Sequence, residues 1–194
     1  APRKRNSPKG QQRREEILSA ARAILVEDGW EAFSMREVAA RLGIRHGHLQ
    51  YYFPTKQDLL VAVYDAELST YTSRIADIAR KESSREAKVK EILKAGITTA
   101  QRPETELFFM AAALAYRDPD MATMLARDNE TYRRALSDAF AVIAPELSEK
   151  RRHLLARFVQ TLVDGLSLQF LTDDSASGEL RGLVRLVTDL TVQV

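Results

Sequence analysis

The chain has 194 residues, of which 45% are apolar and 29% are charged, a composition typical of a globular protein. Cysteine is absent, which excludes disulfide scaffolds, cysteine-ligated metals and thiol catalysis. No apolar stretch is long enough to cross a membrane, and no apolar run follows the basic N-terminal residues as it would in a signal peptide. We therefore expect a cytoplasmic protein with no membrane partner.

Positive charge is concentrated toward the N-terminal end of the chain. Residues 1–56 carry 11 Lys and Arg against 6 Asp and Glu, whereas residues 57–194 carry 18 against 21. Such an asymmetry favours a polyanionic partner for the basic end, and we predict a flexible basic arm over residues 1–11. The alternative for this arm is a solvated tail with no binding role.

The spacing of apolar residues predicts an all-α fold. Apolar side chains recur at intervals of three and four throughout, and no alternating strand pattern bounded by a two-residue turn is present. The first helix is predicted from about Gln12 to Asp28, with Gly29 ending it.

Two short helices are predicted next. Ser34 and Glu37 form a capping-box pattern that begins a helix ending at Leu42, before Gly43. The second short helix is predicted over residues 46–53. Two short helices joined by a tight, glycine-containing turn are typical of a helix-turn-helix.

The remainder of the chain is predicted to form longer helices. Thr55 is placed to cap the first of them, and the others are predicted at 85–101, 104–116, 120–143, 148–172 and 178–192. We therefore predict a three-helix N-terminal domain over residues 12–71 and a larger helical domain over residues 72–194.

An ordered series of short motifs runs from Arg14 to about Tyr71. The motifs are Glu27-Asp28-Gly29-Trp30, Phe33-Ser34-Met35-Arg36-Glu37-Val38-Ala39, Leu42-Gly43-Ile44, Gly47, Leu49-Gln50-Tyr51-Tyr52-Phe53-Pro54-Thr55-Lys56 and Leu59-Leu60. In this order the motifs resemble the DNA-binding domain of the TetR family of transcriptional repressors, and the longest is similar to a subgroup in which Gln replaces a commoner Tyr. The resemblance covers about a third of the chain. The remainder agrees in length, helicity and a Val163-Asp164-Gly165-Leu166 stretch.

The resemblance implies which residues contact DNA. They are Ser34, Arg36, Arg45, His46, Gly47, His48, Gln50, Tyr51, Tyr52 and Lys56. Arginine can read guanine through two parallel hydrogen bonds and glutamine can read adenine in the same way, so Arg36 and Gln50 are the candidate base readers. Arg45 and His48 stand where the family commonly has smaller residues. For Tyr51 the alternative of packing inward stays open.

No catalytic or metal-binding constellation is present in the sequence. His46 and His48 are two positions apart on a predicted helix and point to different faces, which does not suit a shared metal ion. Metalloprotease, Walker A, dinucleotide-binding and nucleophile-elbow motifs are all absent. We therefore expect no enzyme activity, no metal and no cofactor.

Aromatic and methionine residues of the C-terminal half are candidates for an effector pocket, because the resemblance implies an effector cavity among these helices. The pocket candidates are Phe108, Phe109, Met110, Met124, Tyr132, Phe158 and Leu162. Such side chains line adaptable apolar pockets, but helical spacing alone also explains each of them as a core residue.

The last two predicted helices carry more apolar surface than one monomer's core needs. This indicates a four-helix bundle between two subunits, as the resemblance also implies. The candidate interface residues are Leu162, Gly165, Leu166, Leu183, Leu186, Val187 and Leu190. The alternative is a helix pair that is internal to one monomer.

The functional hypothesis is a homodimeric transcriptional repressor that binds a palindromic double-stranded DNA operator. An unidentified small-molecule effector is expected to release it from DNA by binding one conformational state preferentially. The alternatives are a helical small-molecule-binding protein that acts through a protein partner without an operator, and a helical enzyme.

Overall fold

A computed structural model of the chain describes residues 7–99 and 103–170 and the isolated positions 182, 185, 186, 188 and 189. Every regular element within these ranges is a helix, so the predicted all-α fold is confirmed. The helices are α1 (Pro8–Glu27), α2 (Met35–Arg41), α3 (His46–Tyr52), α4 (Lys56–Arg80), α5 (Arg85–Thr99), α6 (Pro103–Ala115), α7 (Pro119–Ile143) and α8 (Glu149–Phe170). The helix predicted over residues 178–192 lies outside the described residues apart from those isolated positions. None of the described helices is both long enough and apolar enough to span a membrane.

The first helix begins four residues earlier than the sequence predicts. The Ser7 side chain accepts a hydrogen bond of 3.2 Å from the backbone N–H of Gly10, and Pro8 occupies the first turn, where a missing N–H costs nothing. Residues 8–11 of the predicted arm are therefore helical, and residues 1–6 lie outside the described part of the chain. The helix ends as predicted, with Gly29 at a φ of +82°.

The chain divides into two compact units between Glu67 and Leu68, a division that falls inside α4. In the N-terminal unit, α1, α3 and the first half of α4 supply fully buried aliphatic side chains, and Phe33 joins them from the turn before α2. The largest of these buried residues are Ile17, Ile24, Leu25, Phe33, Leu49, Leu59 and Leu60. This core supports the two short helices, α2 and α3, from beneath.

The core of the C-terminal unit is formed by the end of α4 together with α5, α7 and α8. Among its most buried side chains are Ile78, Leu93, Leu136 and Phe140. Helix α7 packs on both α6 and α8, and α8 also packs on α5. The starts of α5, α7 and α8 and the ends of α6 and α7 agree with the predicted bounds within one residue, because proline residues and polar caps mark most of them in the sequence. The ends predicted at residues 101 and 172 lie outside the described residues.

One glycine of the C-terminal unit lies at a close helix crossing. A Cβ atom added to Gly96 on α5 would lie 2.9 Å from Cγ2 of Val163 on α8, which is too close for two carbon atoms. At Gly165, which the sequence predicts at the subunit interface, an added Cβ would meet no other atom within 4 Å among the described residues. In the described part of the monomer, Gly96 therefore lies at a crossing that needs a glycine, whereas Gly165 does not.

Candidate nucleic-acid interface

The two short helices are positioned by local capping and a glycine turn. The Ser34 Oγ accepts a 3.1 Å hydrogen bond from the backbone N–H of Glu37, which begins α2 at the predicted residue. After α2, Gly43 has a φ of +62°, a conformation that favours glycine over residues with a side chain. This turn leads into α3, so the predicted helix-turn-helix is present.

Helix α3 has one buried side and one exposed side. Leu49 is fully buried, and Phe53, which ends the helix, is 3% exposed. The predicted contact residues on the opposite side of the helix are exposed: Arg45, His46, Gly47, His48 and Gln50. Arg36 on α2 is exposed as well. A short helix with buried aliphatic groups beneath and hydrogen-bonding groups outside has the form of a recognition helix.

The arginines on this surface differ from other arginines of the N-terminal unit in their pairing. Arg36 and Arg45 make no hydrogen bond or ion pair with any residue that the structure describes. By contrast, Arg22 is paired with Glu67 at 2.7 Å, and Arg41 contacts two carboxylates on the last turn of α1. Unpaired guanidinium groups need no internal bond broken before they bind an external acceptor such as a guanine or a phosphate.

The helix cap at Arg45 departs from the usual pattern. Arg45 occupies the N-cap of α3 and its side chain makes no capping hydrogen bond. Two residues on, Gly47 is exposed, and a Cβ added to it would meet no other described atom within 4 Å. The start of α3 therefore has no side-chain cap, and Gly47 leaves an open approach for a phosphate or a base edge.

The aromatic residues at the end of α3 contact one another. The rings of Tyr51 and Tyr52 meet edge to face with centroids 5.2 Å apart, and the His48 ring lies 5.7 Å from that of Tyr52. Both tyrosines are half-buried. Tyr51 is therefore neither a core residue nor a freely exposed one.

Lys56 is held against an aromatic surface at the start of α4. Its Nζ lies 3.9 Å from the ring centroid of Trp30 and 5.2 Å from that of Phe33, within the range of a cation–π interaction. Burial lowers the pKa of the Lys56 ammonium, and the carboxylate of Glu31 opposes that change. The sequence predicts Lys56 as a phosphate contact but does not predict that Trp30 orients it.

The effector-pocket candidates occupy different environments in the C-terminal unit. Met124 is buried, and Tyr132 and Leu162 pack on the core. Phe108 and Phe109, whose ring centroids are 5.3 Å apart, are half-buried, as is Met110. Phe158 departs from the expectation of an interior residue because it is 44% exposed.

Helix α8 carries an exposed stripe with heptad-like spacing. Leu154, Phe158, Gly165 and Leu168, which we call the α8 stripe, are all exposed and lie within one narrow arc of the helix. Of these four residues, only Gly165 is among the interface residues predicted from the sequence.

The other interface candidates are distributed differently. Leu162 and Leu166 are partly buried against the core of their own monomer. Leu186 is 57% exposed, and Leu183, Val187 and Leu190 lie outside the described residues.

Comparison with known proteins places this architecture in a family. Residues 17–63 match the model described as bacterial regulatory proteins of the tetR family, and residues 64–191 match the model of the BetI-type transcriptional repressor C-terminal domain. The second match alone spans well over half of the chain. The chain therefore belongs to the TetR family of transcriptional regulators, as the ordered motifs indicate.

One relative is similar in sequence to about half of this chain. The HTH-type transcriptional regulator PksA of Bacillus subtilis is 32% identical over 113 residues, which are 57% of this chain and 55% of that protein. The matched region thus spans about half the length of this relative. Family members and this relative are regulators and not enzymes.

Two solved structures share the fold over nearly the whole chain. A transcriptional regulator from Saccharomonospora viridis in complex with choline has a TM-score of 0.73 and 16% identity, covering 92% of this chain and 95% of its own. FadR of Bacillus subtilis in complex with stearoyl-CoA has a TM-score of 0.69 and 17% identity. The match covers 92% of this chain and 97% of the FadR chain. At these identities the similarity establishes the fold alone.

Proposed function

We propose that this chain is a homodimeric repressor that binds a palindromic operator through α2 and α3 and is released from it by a small molecule. In this proposal residues 12–71 bind DNA, and residues 72–194 bind the effector and the second subunit. The observation that carries the proposal is the group of exposed polar and cationic side chains on α2 and α3, with Arg36 and Arg45 free of partners among the described residues.

The roles proposed for individual residues follow from their chemistry and exposure. Arg36 and Gln50 read base edges in the major groove, because each can form two parallel hydrogen bonds with one base. The remaining residues position the helices on phosphates or adjoining base edges: Ser34, Arg45, His46, Gly47, His48, Tyr51, Tyr52 and Lys56. For Lys56, the Trp30 ring limits the directions in which the ammonium can point.

A dimer is supported by the α8 stripe. Leu154, Phe158 and Leu168 are 57%, 44% and 55% exposed, an arrangement that leaves a row of large apolar groups in contact with water. In a dimer with a twofold axis, the same row of apolar residues on the α8 of the second subunit would cover this row, because a twofold interface joins identical surfaces. Gly165 in the same row would allow the two backbones to approach closely.

Release by an effector is supported by the ligands named for related folds. The solved regulators from Saccharomonospora viridis and Bacillus subtilis hold choline and stearoyl-CoA, so this fold can enclose small molecules of different chemistry. A ligand that binds better to the conformation with low DNA affinity would lower operator occupancy.

The decisive experiment is the selection of bound duplexes from a randomised DNA library by the full chain at physiological salt, followed by footprinting. We expect a site with twofold symmetry whose half-sites lie about one helical turn, or a multiple of it, apart. Single unpaired half-sites would contradict the dimeric mechanism, and the absence of any sequence preference would contradict the function.

A matched pair of arginine variants tests the assigned surface. Arg45→Ala and Arg117→Ala each remove one exposed arginine, the first from the start of α3 and the second from the turn after α6. Because the Arg45 side chain makes no cap bond, its loss should weaken DNA binding without unfolding α3. If the two variants bind DNA with equal affinity, Arg45 does not contact DNA.

A further inference from the structure

Arg14 on α1 lies over an aromatic ring at the end of α3. Its Cζ atom is 5.1 Å from the ring centroid of Phe53, within the range of a cation–π interaction. Phe53 ends α3, so this contact links the N-terminal half of α1 to the C-terminal end of the helix that carries most of the proposed DNA contacts. Because Phe53 is 3% exposed, its ring is packed in the core and gives the guanidinium a rigid support.

The positive charge of Arg14 is not committed to a carboxylate within the described residues. Arg14 is exposed and makes no hydrogen bond or ion pair with any of them. Its neighbour Arg13 differs, because Nη1 of Arg13 lies 2.7 Å from Oε2 of Glu16. An aromatic face orients a guanidinium but does not neutralise its charge. Arg14 therefore presents an oriented cation whose N–H groups are available to an external anion.

The place of Arg14 beside α3 indicates which anion it reaches. Phe53 directly follows Tyr52, one of the proposed DNA contacts, and lies shortly before Lys56 in the chain. The seven residues of α3 have a length of about 10 Å, slightly less than the width of the major groove, which is about 12 Å. When α3 lies in this groove, a cation beside its C-terminal end meets the sugar–phosphate backbone at the border of the groove.

We propose that Arg14 is a further DNA contact of this chain, that it binds a backbone phosphate, and that Phe53 is its positioning residue. A phosphate suits Arg14 better than a base edge, because α1 lies outside the helix-turn-helix that enters the groove and a guanidinium binds phosphate oxygens through two parallel hydrogen bonds. The inference rests on the proposed binding of DNA by α2 and α3. Neither the predicted arm nor the contact residues predicted from the sequence include Arg14.

The first test compares two arginine variants that remove the same charge. Arg14→Ala and Arg117→Ala each remove one exposed arginine that has no ion pair among the described residues, the first from α1 and the second from the turn after α6. The full chain is titrated with the selected operator and with a duplex of the same length and scrambled sequence. The salt concentration is varied from about 50 mM to about 200 mM, a range over which phosphate contacts change affinity strongly.

Arg14→Ala should weaken binding and reduce the salt slope by about one unit for each bound subunit. The affinity lost between the two salt concentrations should then be about three- to fourfold smaller per subunit than for the wild type. Both duplexes should show this change, because phosphates carry no sequence information. Arg117→Ala should bind as the wild type does. Arg14→Lys, which keeps the charge, should keep the salt slope of the wild type.

Neutralising single phosphates locates the contact. In a series of operators that each carry one uncharged methylphosphonate linkage, the wild type should bind less tightly when the linkage replaces the phosphate that Arg14 contacts. Arg14→Ala should not respond to that same replacement, since the interaction is already lost. An operator with twofold symmetry should show two symmetry-related positions of this kind. If every sensitive position of the wild type is also sensitive in Arg14→Ala, Arg14 acts only as a distant charge and the proposal is wrong.

A double-mutant cycle tests the role of Phe53. Phe53→Leu keeps a large apolar side chain and removes the ring face. If Phe53 positions Arg14, this substitution should weaken DNA binding in the wild-type background and much less in the Arg14→Ala background. Equal losses in the two backgrounds would mean that Phe53 has a structural role only. Unfolding midpoints are measured for every variant, and if Phe53→Leu does not fold, Phe53→Met removes the ring with a more adaptable side chain.

The outcomes separate this inference from the repressor proposal. If the wild type selects a twofold site and Arg14→Ala binds it as Arg117→Ala does, the Arg14 contact is rejected and the repressor proposal stands. If no site is selected but Arg14→Ala, unlike Arg117→Ala, binds the scrambled duplex more weakly and with a smaller salt slope, the repressor proposal fails and the contact remains. A wild-type chain that binds neither duplex would overturn both.

Discussion

At the scale of single residues, the side chains proposed to meet DNA differ in how freely they can move. Arg36 is exposed and has no partner within the described part of the chain, whereas the Lys56 ammonium lies on the face of Trp30. A free guanidinium can adjust to a particular base edge, but an ammonium held by a ring is better suited to a fixed phosphate. These two residues should therefore contribute to specificity and to general affinity, respectively.

Substitution of each residue by alanine should separate these contributions. Arg36→Ala should relax the preference at one base position at a cost of about 1–3 kcal/mol. Lys56→Ala should weaken binding to all sites about equally and reduce the salt slope by about one unit. Titrations against an operator scanned base by base, at several salt concentrations, measure both effects. Two variants with the same base profile would contradict the division of roles.

Trp30 gives an independent readout of the Lys56 contact. It is the single tryptophan of the chain, so its fluorescence reports on the ring that the Lys56 ammonium covers. The emission should change in Lys56→Ala and stay closer to that of the wild type in Lys56→Arg, because arginine can also lie over an aromatic face. Identical spectra for all three proteins would mean that the contact is not formed in solution.

At the scale of helices, α8 presents three surfaces with different tasks. One surface packs on the core of its own unit, Gln160 on a second surface donates a hydrogen bond to Asn129 of α7, and the α8 stripe is exposed. A sequence pattern shows that such a helix is apolar around much of its circumference. It does not show which apolar positions belong to the monomer core and which face outward, because that depends on where α5 and α7 lie.

Two glycines, one on α5 and one on α8, allow a matched test of which positions pack inside the monomer and which face outward. Gly165→Leu should impair dimerisation while the monomer stays folded, since the position is open within the monomer and Leu is the better helix former by nearly 1 kcal/mol. Gly96→Leu should instead lower the stability of the monomer, because even its Cβ would overlap with Val163.

Light scattering and thermal unfolding on the same samples distinguish the two effects. We expect Gly165→Leu to shift the mass toward that of a monomer with little change in the unfolding midpoint, and DNA affinity to fall with the loss of the second half-site. Gly96→Leu should lower the midpoint. A Gly165→Leu protein that remains dimeric would place the interface elsewhere.

At the scale of the whole molecule, the proposed repressor requires that effector binding and DNA binding influence each other equally. If a small-molecule effector lowers the affinity for the selected operator by some factor, the operator must lower the affinity for that effector by the same factor. Measuring each affinity in the presence of the other ligand tests this reciprocity. The two factors must agree at equilibrium, and a factor of one would mean that the small molecule is not an effector.

Within the described residues, the sequence by itself determined the helices and most of their ends. The cap at Ser34 and the turns at Gly29 and Gly43 each depend on residues a few positions apart, so their chemistry can be read directly from the chain. The start of α1 is the exception, because the basic residues around Pro8 indicate an arm and the Ser7 cap is easily overlooked among them. The ordered motifs from Arg14 to Tyr71 also indicated the TetR family, which the family match confirms.

The tertiary structure alone decided which side chains are paired, buried or free. Arg22 meets Glu67 across 45 positions and Gln160 meets Asn129 across 31, and no local pattern predicts such pairs. The same holds for the contact of Lys56 with Trp30 and for the close approach of Gly96 to Val163. Local propensity and capping act over one or two helical turns, whereas pairing and desolvation depend on neighbours that only the packing of distant helices brings together.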